Sequence, residues 1–352
     1  MATTLAFEVF DAERAKKYLS RENLNCPLSK FIGNDLAVKK LQAVALNALQ
    51  HRHHYCADIA WALFGPASSG KTTLAKLFAE TLALPFVEIS PKGVKTLDDI
   101  VEEISKVCTE KKIPLTPDSD GDYLLPMMVV FIDEIHALNK SIIQGLLKAT
   151  EYDDCVMITE TGKTLLTENV CWIIATTDEG RLFDAFRTRF NNLYLNYLTK
   201  EEIAQVIKQR NPDFLLEVCE LIAHYNPRSP RKALEFARYM KLLKGMENPL
   251  TTWEEIAEEV AKDEGIDEFG MSRTNLRILK ALSQGPIPKN RMPYTVGSKL
   301  EEVENFVMPF LLTESEEQPA LVTVTRAGYT ITKAGLAELD KRGIEHPPFE
   351  EE

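Results

Sequence analysis

The 352-residue sequence contains no hydrophobic run of about 18 residues, so it predicts no membrane-spanning helix. The N-terminus, MATTLAFEVFDAERAKKYL, lacks a basic region followed by an apolar core, and we therefore expect no secretion signal. The six cysteines are scattered and none forms a C-x-x-C pair, which disfavours a zinc or disulfide framework. These absences together predict a reduced, cytoplasmic chain.

Positive charge is also scarce, since 41 Lys and Arg residues face 53 Asp and Glu residues and the net charge is -12. This balance disfavours a protein that coats nucleic acid or an anionic membrane with its whole surface. It leaves room for a basic patch on one domain, because a net charge averages over all faces. The length and the 45% hydrophobic content predict a globular chain of two or three domains.

Apolar runs alternate with helical patterns through the first half of the chain. The predicted strands are 59–64, 86–89, 127–132 and 170–175, with helical patterns between them. This alternation predicts an α/β domain with a parallel sheet. The pattern is helical from residue 200 to about residue 264, and alternation typical of strands returns at 321–325 and 329–332. Residues 109–126 contain three prolines and predict a loop or insertion.

The strongest motif is GPASSGKT, which matches G-x-x-x-x-G-K-[ST] between an apolar strand and a helix. The glycines let backbone N–H groups and the helix N-terminus face phosphates. Lys71 would reach the β- and γ-phosphates of ATP, and the Thr72 hydroxyl would ligate Mg²⁺. The predicted ATP-binding residues of this motif are Gly65, Pro66, Ser68, Ser69, Gly70, Lys71, Thr72 and Thr73.

Two carboxylates, Asp133 and Glu134, directly follow the apolar run 127–132. Asp133 would contact Mg²⁺ through a water molecule, and Glu134 would orient an attacking water. Alone, an acidic pair after a strand is most often the start of a solvated loop. About sixty residues after a P-loop, it predicts hydrolysis of the nucleotide as well as binding.

Two arginine clusters follow the acidic pair. Arg187 and Arg189 lie in FRTRF, and Arg228 and Arg231 lie in RSPR at the start of a helix. An arginine from a neighbouring subunit can neutralise charge that develops on a transferred phosphoryl group. Composition alone would class both clusters as surface arginines, but their order behind the P-loop and the acidic pair favours a functional role.

With GPASSGKTTLA, FIDEIHALN, IIATT and FRTRF in this order, the chain resembles the AAA+ ATPases. Within them it is similar to the RuvB family of Holliday-junction branch-migration DNA helicases, and SPRKALEFA and GMSRTNLRILKAL continue this resemblance. The resemblance implies an α/β P-loop core with a parallel sheet, an all-α lid and a C-terminal winged-helix domain. The implied bounds are 1–25 for an N-terminal extension, 26–198 for the core, 199–265 for the lid, 266–345 for the winged helix and 346–352 for an acidic tail.

The resemblance also implies roles around the nucleotide. Thr177, with Thr176 as the alternative, would be the polar sensor of the γ-phosphate. Phe31 and Ile32 would line the adenine pocket.

For the arginines, the resemblance implies a homo-oligomer, a hexameric ring with ATP between neighbouring subunits. Arg189, with Arg187 as the alternative, would complete the neighbour's site. Arg231 would be the second sensor, reaching the phosphates from the lid.

The chain departs from the family's pattern in several places, including the hairpin and the stretch before the acidic pair. Residues 155–170 stand where the family's β-hairpin binds its junction-recognising partner RuvA, but the tip sequence TETGK differs from the usual one. The stretch 109–126 is longer than the family's equivalent. A RuvA-like partner at this hairpin is the expectation that the resemblance implies, and a divergent or phage-borne relative would explain the departures.

The winged helix would supply the contact with DNA. Arg326 stands at the predicted wing tip, where a cation can bind phosphates without reading bases. Residues 271–342 carry ten Lys or Arg and eight Asp or Glu, a net charge of +2, whereas the other residues total -14. This contrast favours a local DNA-facing surface, although a winged helix used for protein contacts is the alternative.

The sequence therefore predicts an ATP- and Mg²⁺-dependent ring motor that translocates duplex or junction DNA. A second hypothesis is a switch resembling a clamp loader, which would use ATP to assemble a protein complex on DNA. A third is a nucleotide-binding protein with vestigial hydrolysis, against which Glu134 and the arginine clusters argue.

Overall fold

The computed structural model describes residues 26–50, 60–115, 117, 121–151, 155–182, 184–246, 251–297, 303, 307–312 and 319–348. The predicted N-terminal extension, residues 1–25, lies outside the described residues. The chain forms two compact units, of which the first is Met1–Gly65 with Ser69–Asn196 and the second is Pro66–Ser68 with Tyr197–Glu352.

The first unit alternates strands and helices. Its described helices are α1 (Asp35–Gln50), α2 (Lys71–Leu82), α3 (Leu97–Glu110), α4 (Lys140–Ala149) and α5 (Asp184–Arg189). Its described strands are β1 (Trp61–Phe64), β2 (Phe86–Ile89), β3 (Tyr123–Leu124), β4 (Met128–Ile132), β5 (Val156–Ile158), β6 (Thr164–Leu166), β7 (Val170–Thr176) and β8 (Asn191–Tyr194).

Five strands form a parallel sheet in the order β2-β4-β7-β1-β8. Strands β1, β4 and β7 are buried along their whole length, which explains why their sequences are continuous apolar runs instead of alternating ones. The parallel α/β core predicted from the sequence is confirmed. The edge strand β8, with the sequence NNLY, was not predicted.

Helices cover both faces of this sheet. On one face, side chains of β4 such as Val129 and Phe131 share an apolar cluster with residues of α1 and α2. On the other, the alternate residues of β4, such as Val130, pack with residues of α3 and α4. The period-two alternation of a strand explains this division, because successive side chains point to opposite faces.

A small second sheet has the order β3-β6-β5, in which β5 and β6 form an antiparallel hairpin and β3 pairs parallel to β6. The hairpin was predicted at these residues. Strand β3 and the last residues of α3 belong to the stretch 109–126, which the sequence predicted as a loop or insertion. That prediction is wrong at both ends of the stretch, since the short strand YL has too few residues to show a periodic pattern.

The second unit continues with a helical segment, residues 199–265. Its described helices are α6 (Lys200–Arg210), α7 (Leu216–Tyr225), α8 (Pro230–Lys244) and α9 (Trp253–Glu264), and they share one apolar core. Capping boxes start α6 and α9, in which a threonine hydroxyl accepts the N3 amide and the N3 glutamate accepts the cap amide.

Residues 266–345, called here the C-terminal module, have a separate apolar core. The described helices are α10 (Arg273–Leu282), α11 (Met292–Val296), α12 (Met308–Leu312) and α13 (Lys333–Asp340). Strands β9 (Val322–Thr325) and β10 (Gly328–Ile331) pair as an antiparallel ribbon, as the sequence predicted. None of the helices in the described part of the chain combines the length and apolar character needed to cross a membrane.

Candidate nucleotide-binding site

The register of the parallel sheet brings three predicted elements together. Phe64 at the end of β1 pairs with Thr176 of β7, and Ile132 at the end of β4 pairs with Ile174 of the same strand. The P-loop, the acidic pair and Thr177 each follow one of these carboxyl ends. They therefore meet at one edge of the sheet, where open parallel sheets usually bind their ligands.

The P-loop is shaped to receive an anion. Lys71 is 6% exposed, and its Nζ donates a hydrogen bond to the Gly65 carbonyl oxygen at 2.9 Å. Ser69 is 2% exposed, and its hydroxyl has no hydrogen-bond partner among the residues that the structure describes. A buried cation, an unsatisfied hydroxyl and the N-terminus of α2 fit a phosphate group.

Phe31 lies against the P-loop. Gly70 has φ +93°, and a Cβ added there would lie 2.8 Å and 2.9 Å from two atoms of the Phe31 ring. Glycine is therefore required at this position both by the backbone conformation and by the close approach of the ring. Ile32 follows Phe31 and is half-buried. The sequence placed both residues at the adenine, and the structure places Phe31 at the loop that would hold the phosphates.

Asp133 is a carboxyl group in an unfavourable environment for its charge. Burial and the neighbouring carboxylate of Glu134 raise its pKa, while the Lys71 ammonium opposes this shift. The Asp133 Oδ1 accepts the backbone N–H of Glu134 at 3.1 Å. A carboxylate that lacks solvent is receptive to a cation, and carboxylate and hydroxyl oxygens are ligands that Mg²⁺ prefers. Asp133 and the half-buried Thr72 thus fit the magnesium that the sequence predicted.

The Glu134 carboxylate is fixed by its neighbours. Its Oε2 accepts hydrogen bonds from the backbone N–H and the hydroxyl of Thr177, at 3.0 Å and 3.1 Å. The Nδ1 atom of His136 lies 3.3 Å from the same oxygen. Glu134 itself has φ +49°, a left-handed conformation that is unusual for a residue with a side chain and often marks functional sites.

Two adjacent threonines have different surroundings at the end of β7. Thr176 is buried, its hydroxyl lies 2.7 Å from the Nδ1 of His136, and it accepts the backbone N–H of Asp178 at 3.0 Å. Thr177 contacts Glu134 instead. The sequence named both as sensor candidates but indicated no contact with the acidic pair. Strand neighbourhood was the missing signal, because only the β4–β7 pairing brings Thr177 and Glu134 together.

The two arginines of FRTRF bind within their own chain. Arg189 donates to the Leu147 carbonyl oxygen at 2.8 Å and forms an ion pair with Glu151 at 2.5 Å, both at the C-terminal end of α4. Arg187 donates to the Glu179 carbonyl oxygen at 2.6 Å. These contacts lie within the first unit, and the role of either arginine in a neighbouring site stays a prediction.

The remaining predicted cations lie in the second unit. Arg231 is exposed in the first turn of α8. Arg326 is exposed in the turn between β9 and β10, at the end of the ribbon. Arg228, to which the sequence assigned no separate role, is half-buried and has φ +63°.

The hairpin tip is bound to the start of α3. The Glu160 carboxylate accepts the backbone N–H of Leu97 at 3.0 Å and 3.2 Å from its two oxygens. Thr161 donates its backbone N–H and its hydroxyl to the Asp98 carboxylate at 3.1 Å and 2.5 Å. These hydrogen bonds lower the pKa of Asp98. The tip sequence that departs from the family's pattern thus has a structural role in this chain.

Comparison with known proteins finds one family model that matches part of the chain. Residues 61–196 match the ATPase family associated with various cellular activities (AAA). The chain is similar to the Holliday junction branch migration complex subunit RuvB of Phytoplasma mali, with 28% identity over 316 residues, 86% of this chain and 85% of that protein. It is also similar to the subunit of the same name from Lactobacillus helveticus, with 25% identity over 299 residues, 81% of this chain and 80% of that protein.

Among solved structures, the Thermotoga maritima RuvB Holliday junction branch migration motor shares the fold. It has a TM-score of 0.68 and 24% identity, and the match covers 90% of this chain and 97% of that one. The chain therefore contains an AAA+ α/β core that binds nucleotide and is an ATP hydrolase. Its resemblance to RuvB proteins is real but distant.

Proposed function

We propose that this AAA ATPase is a ring-forming cytoplasmic motor that moves duplex DNA, with branch migration of four-way junctions as its activity. The observation that carries the proposal is the combination of a P-loop, an acidic pair and Thr177 at one sheet edge with similarity to RuvB subunits over 86% of the chain. In this proposal, the helical segment is the lid and the C-terminal module is a winged helix.

ATP lies on the P-loop, with its phosphates at Ser68, Ser69, Gly70, Lys71, Thr72 and Thr73 and its adenine beside Phe31 and Ile32. The Lys71 ammonium neutralises the β- and γ-phosphates, replacing its present bond to the Gly65 carbonyl oxygen. Thr72, and Asp133 through a water molecule, would hold Mg²⁺, which would withdraw charge from the phosphate oxygens. The raised pKa of Asp133 supports this role, because a nearby cation would offset the cost of its buried charge.

Glu134 orients the attacking water and accepts its proton. Because Thr177 donates two hydrogen bonds to the carboxylate, it sets the direction of the group and reports on the γ-phosphate from the same position. If the Thr177 hydroxyl turned to the γ-phosphate, the Glu134 carboxylate would lose one of the two hydrogen bonds that hold it. This gives Thr177 the role of a sensor that acts through Glu134.

The site is completed by arginines from two places. Arg189, with Arg187 as the alternative, reaches the site of the neighbouring subunit, and Arg231 reaches the phosphates from the lid of its own chain. The ion pair of Arg189 with Glu151 is 32% and 35% exposed at its two side chains, so its exchange for a phosphate has a small cost. A hexameric ring supplies this arrangement at every interface.

Arg326 contacts the DNA backbone. It is exposed at the turn of the ribbon, where a cation is free to reach a phosphate. The net charge of +2 over residues 271–342 supports weak contact per subunit, which several subunits on one duplex make effective.

The hairpin sheet is the proposed docking site for a junction-binding partner resembling RuvA. Its outer face carries Ile158, 55% exposed, and Leu124, 38% exposed. Exposed apolar side chains on one face of a small sheet are typical of protein-binding surfaces. The proposed docking face does not depend on the roles assigned to residues of the ATPase site.

The test is movement of a labelled four-way junction together with steady-state ATP hydrolysis, for the wild type and Glu134→Gln. A motor hydrolyses ATP continuously on long DNA and moves the labelled junction along it. In Glu134→Gln, the amide oxygen still accepts both Thr177 bonds but cannot take a proton, so hydrolysis falls by about 10²–10⁴-fold while ATP binding persists.

The matched control is Glu80→Gln, an exposed carboxylate on α2 outside the site, which should behave as the wild type. A single burst of hydrolysis that requires a partner protein would contradict the motor and indicate an assembly switch. Migration that continues in Glu134→Gln would refute a hydrolysis-driven mechanism.

A further inference from the structure

Arg228 lies where three parts of the second unit meet. It occupies the turn between α7 and α8, three residues before Arg231. Its guanidinium lies 5.9 Å from the ring centroid of Tyr197, the first residue of the second unit after Asn196. It also lies 5.5 Å from the ring centroid of Phe310, in α12 of the C-terminal module.

A directed hydrogen bond accompanies these ring contacts. The Arg228 Nη1 donates to the Phe310 carbonyl oxygen at 2.8 Å. Burial lowers the pKa of Arg228 from its usual range and raises the pKa of Tyr197 to about 12. Tyr197 is therefore a neutral ring at working pH, while a guanidinium stays a cation in spite of its burial. A partly desolvated cation that faces aromatic rings is held more strongly than one in water.

The backbone of Arg228 is also unusual. Its φ of +63° lies in the left-handed region, which residues with a Cβ enter only at an energetic cost. Such a conformation persists where the surrounding contacts require it. Here it directs the side chain of the turn toward Phe310 and Tyr197, so the strain and the contacts belong to one arrangement.

A second contact joins the helical segment to the C-terminal module. The His224 Nε2 lies 2.8 Å from the Glu268 carbonyl oxygen, and a Cβ on Gly270 would lie 2.4 Å from the His224 carbonyl oxygen. Arg342 of the C-terminal module forms an ion pair with Asp267 at 2.5 Å. Residues 267–270 are thus held by His224 of α7 and by Arg342. Arg228 attaches the helical segment to α12 at a separate point.

We infer that Arg228 is a positioning residue that couples the turn before Arg231 to the C-terminal module. Arg228 lies in the turn before α8, and Arg231 lies in the first turn of that helix. A movement of Arg231 therefore displaces the Arg228 guanidinium and, with it, the Phe310 carbonyl. A change at the nucleotide is thereby passed to the part of the chain that holds DNA. The coupling role rests on the proposed function, whereas the attachment itself does not.

The test compares Arg228→Gly, Arg228→Lys and the control Arg238→Ala. Glycine removes the guanidinium and adopts the positive φ without strain, so a folded protein is expected. Lysine keeps the charge and a donor but loses the planar group that faces the rings. Arg238 is an exposed arginine of α8, and its removal should change neither readout.

The first readout is a distance distribution between spin labels at Glu259→Cys in α9 and Ala337→Cys in α13, both exposed positions. Cys56 and Cys155 are replaced by serine, since the other four native cysteines are buried. The wild type and Arg238→Ala should give one narrow distribution. Arg228→Gly should broaden it, and Arg228→Lys should fall between them.

The second readout is ATP hydrolysis without DNA and at saturating DNA. Arg228→Gly should keep the DNA-free rate and lose about ten-fold of the stimulation by DNA, the size of a typical coupling between sites. An unchanged distance distribution overturns the attachment. A broadened distribution with full DNA stimulation overturns the coupling role. A wild type without DNA stimulation overturns the proposed function, and the distances alone then decide on the attachment.

Discussion

Substitution of Gly70 by alanine should destabilise the P-loop through two separable effects. At φ +93°, a residue with a Cβ costs about 1–2 kcal/mol relative to glycine. The new Cβ would also lie 2.8 Å from the Phe31 ring, which real Cβ atoms do not tolerate, so the ring must move. Displacement of a half-buried ring costs roughly 1 kcal/mol more, by comparison with the 3–5 kcal/mol of removing a buried one.

These two effects give Gly70→Ala a total cost of about 2–3 kcal/mol. For a unit of this size, 1 kcal/mol lowers Tm by about 2–4 °C, so we expect a fall of about 4–12 °C. The nucleotide-free protein is measured, because bound ATP would add its own stabilisation. The assay is thermal unfolding followed by circular dichroism.

The double variant separates the two effects. Phe31→Ala removes the ring that the new Cβ meets but leaves the backbone conformation of position 70 unchanged. Gly70→Ala with Phe31→Ala should therefore cost about 1 kcal/mol less than the sum of the single variants, within the usual range for residues in contact. Strict additivity would refute the placement of Phe31 on the P-loop, and with it the structural support for its role at the adenine.

Three further outcomes follow from the structure. Asp133→Asn should raise Tm at neutral pH while it abolishes hydrolysis. The pKa of Asp133 in the folded protein lies above the ordinary 3.8, so its charge destabilises the fold fully above the folded pKa and not at all below 3.8. The gain in Tm from Asp133→Asn should therefore shrink as the pH falls toward 4. An equal gain at pH 4 and pH 8 would contradict this. Arg326→Ala should weaken DNA binding and reduce the slope of log affinity against log salt by about one per contacting subunit, with DNA-free ATPase unchanged, and identical binding across a salt series would exclude the contact. Glu160→Ala should lower the free energy of unfolding by about 0.5–1 kcal/mol in urea, because the Leu97 N–H at the start of α3 loses its acceptor, and it should leave ATP hydrolysis intact; an unchanged midpoint would show that the tip is not held there.

Local patterns predicted the elements that carry strong local signals. Helix α2 lies where the sequence predicts a helix, directly after the P-loop, because its apolar residues recur at helical spacing. Strand β4 could be predicted because its five consecutive residues are apolar, and the structure buries all five. Strand β8 was missed because NNLY has no apolar alternation, and its pairing with β1 is a long-range contact.

The same limit applies to the site. The motifs indicated Lys71, Asp133 and Glu134 as residue types at the correct spacing, but their contacts depend on strand order. The bonds from Thr177 to Glu134 require β7 beside β4, which no local pattern specifies. The sequence placed Arg228 in the RSPR cluster but indicated neither its positive φ nor its contact with Phe310, because that contact joins residues far apart in the chain.

The attachment of the hairpin tip to α3 determines where this protein can be tagged. A turn between two strands is normally a tolerant place for an inserted epitope or fluorophore. At residues 159–163, an insertion would separate Glu160 and Thr161 from Leu97 and Asp98 and expose the start of α3. A reporter for following the proposed docking face is better carried by a single exposed side chain such as Ile158, where a label reads the surface without releasing the hairpin.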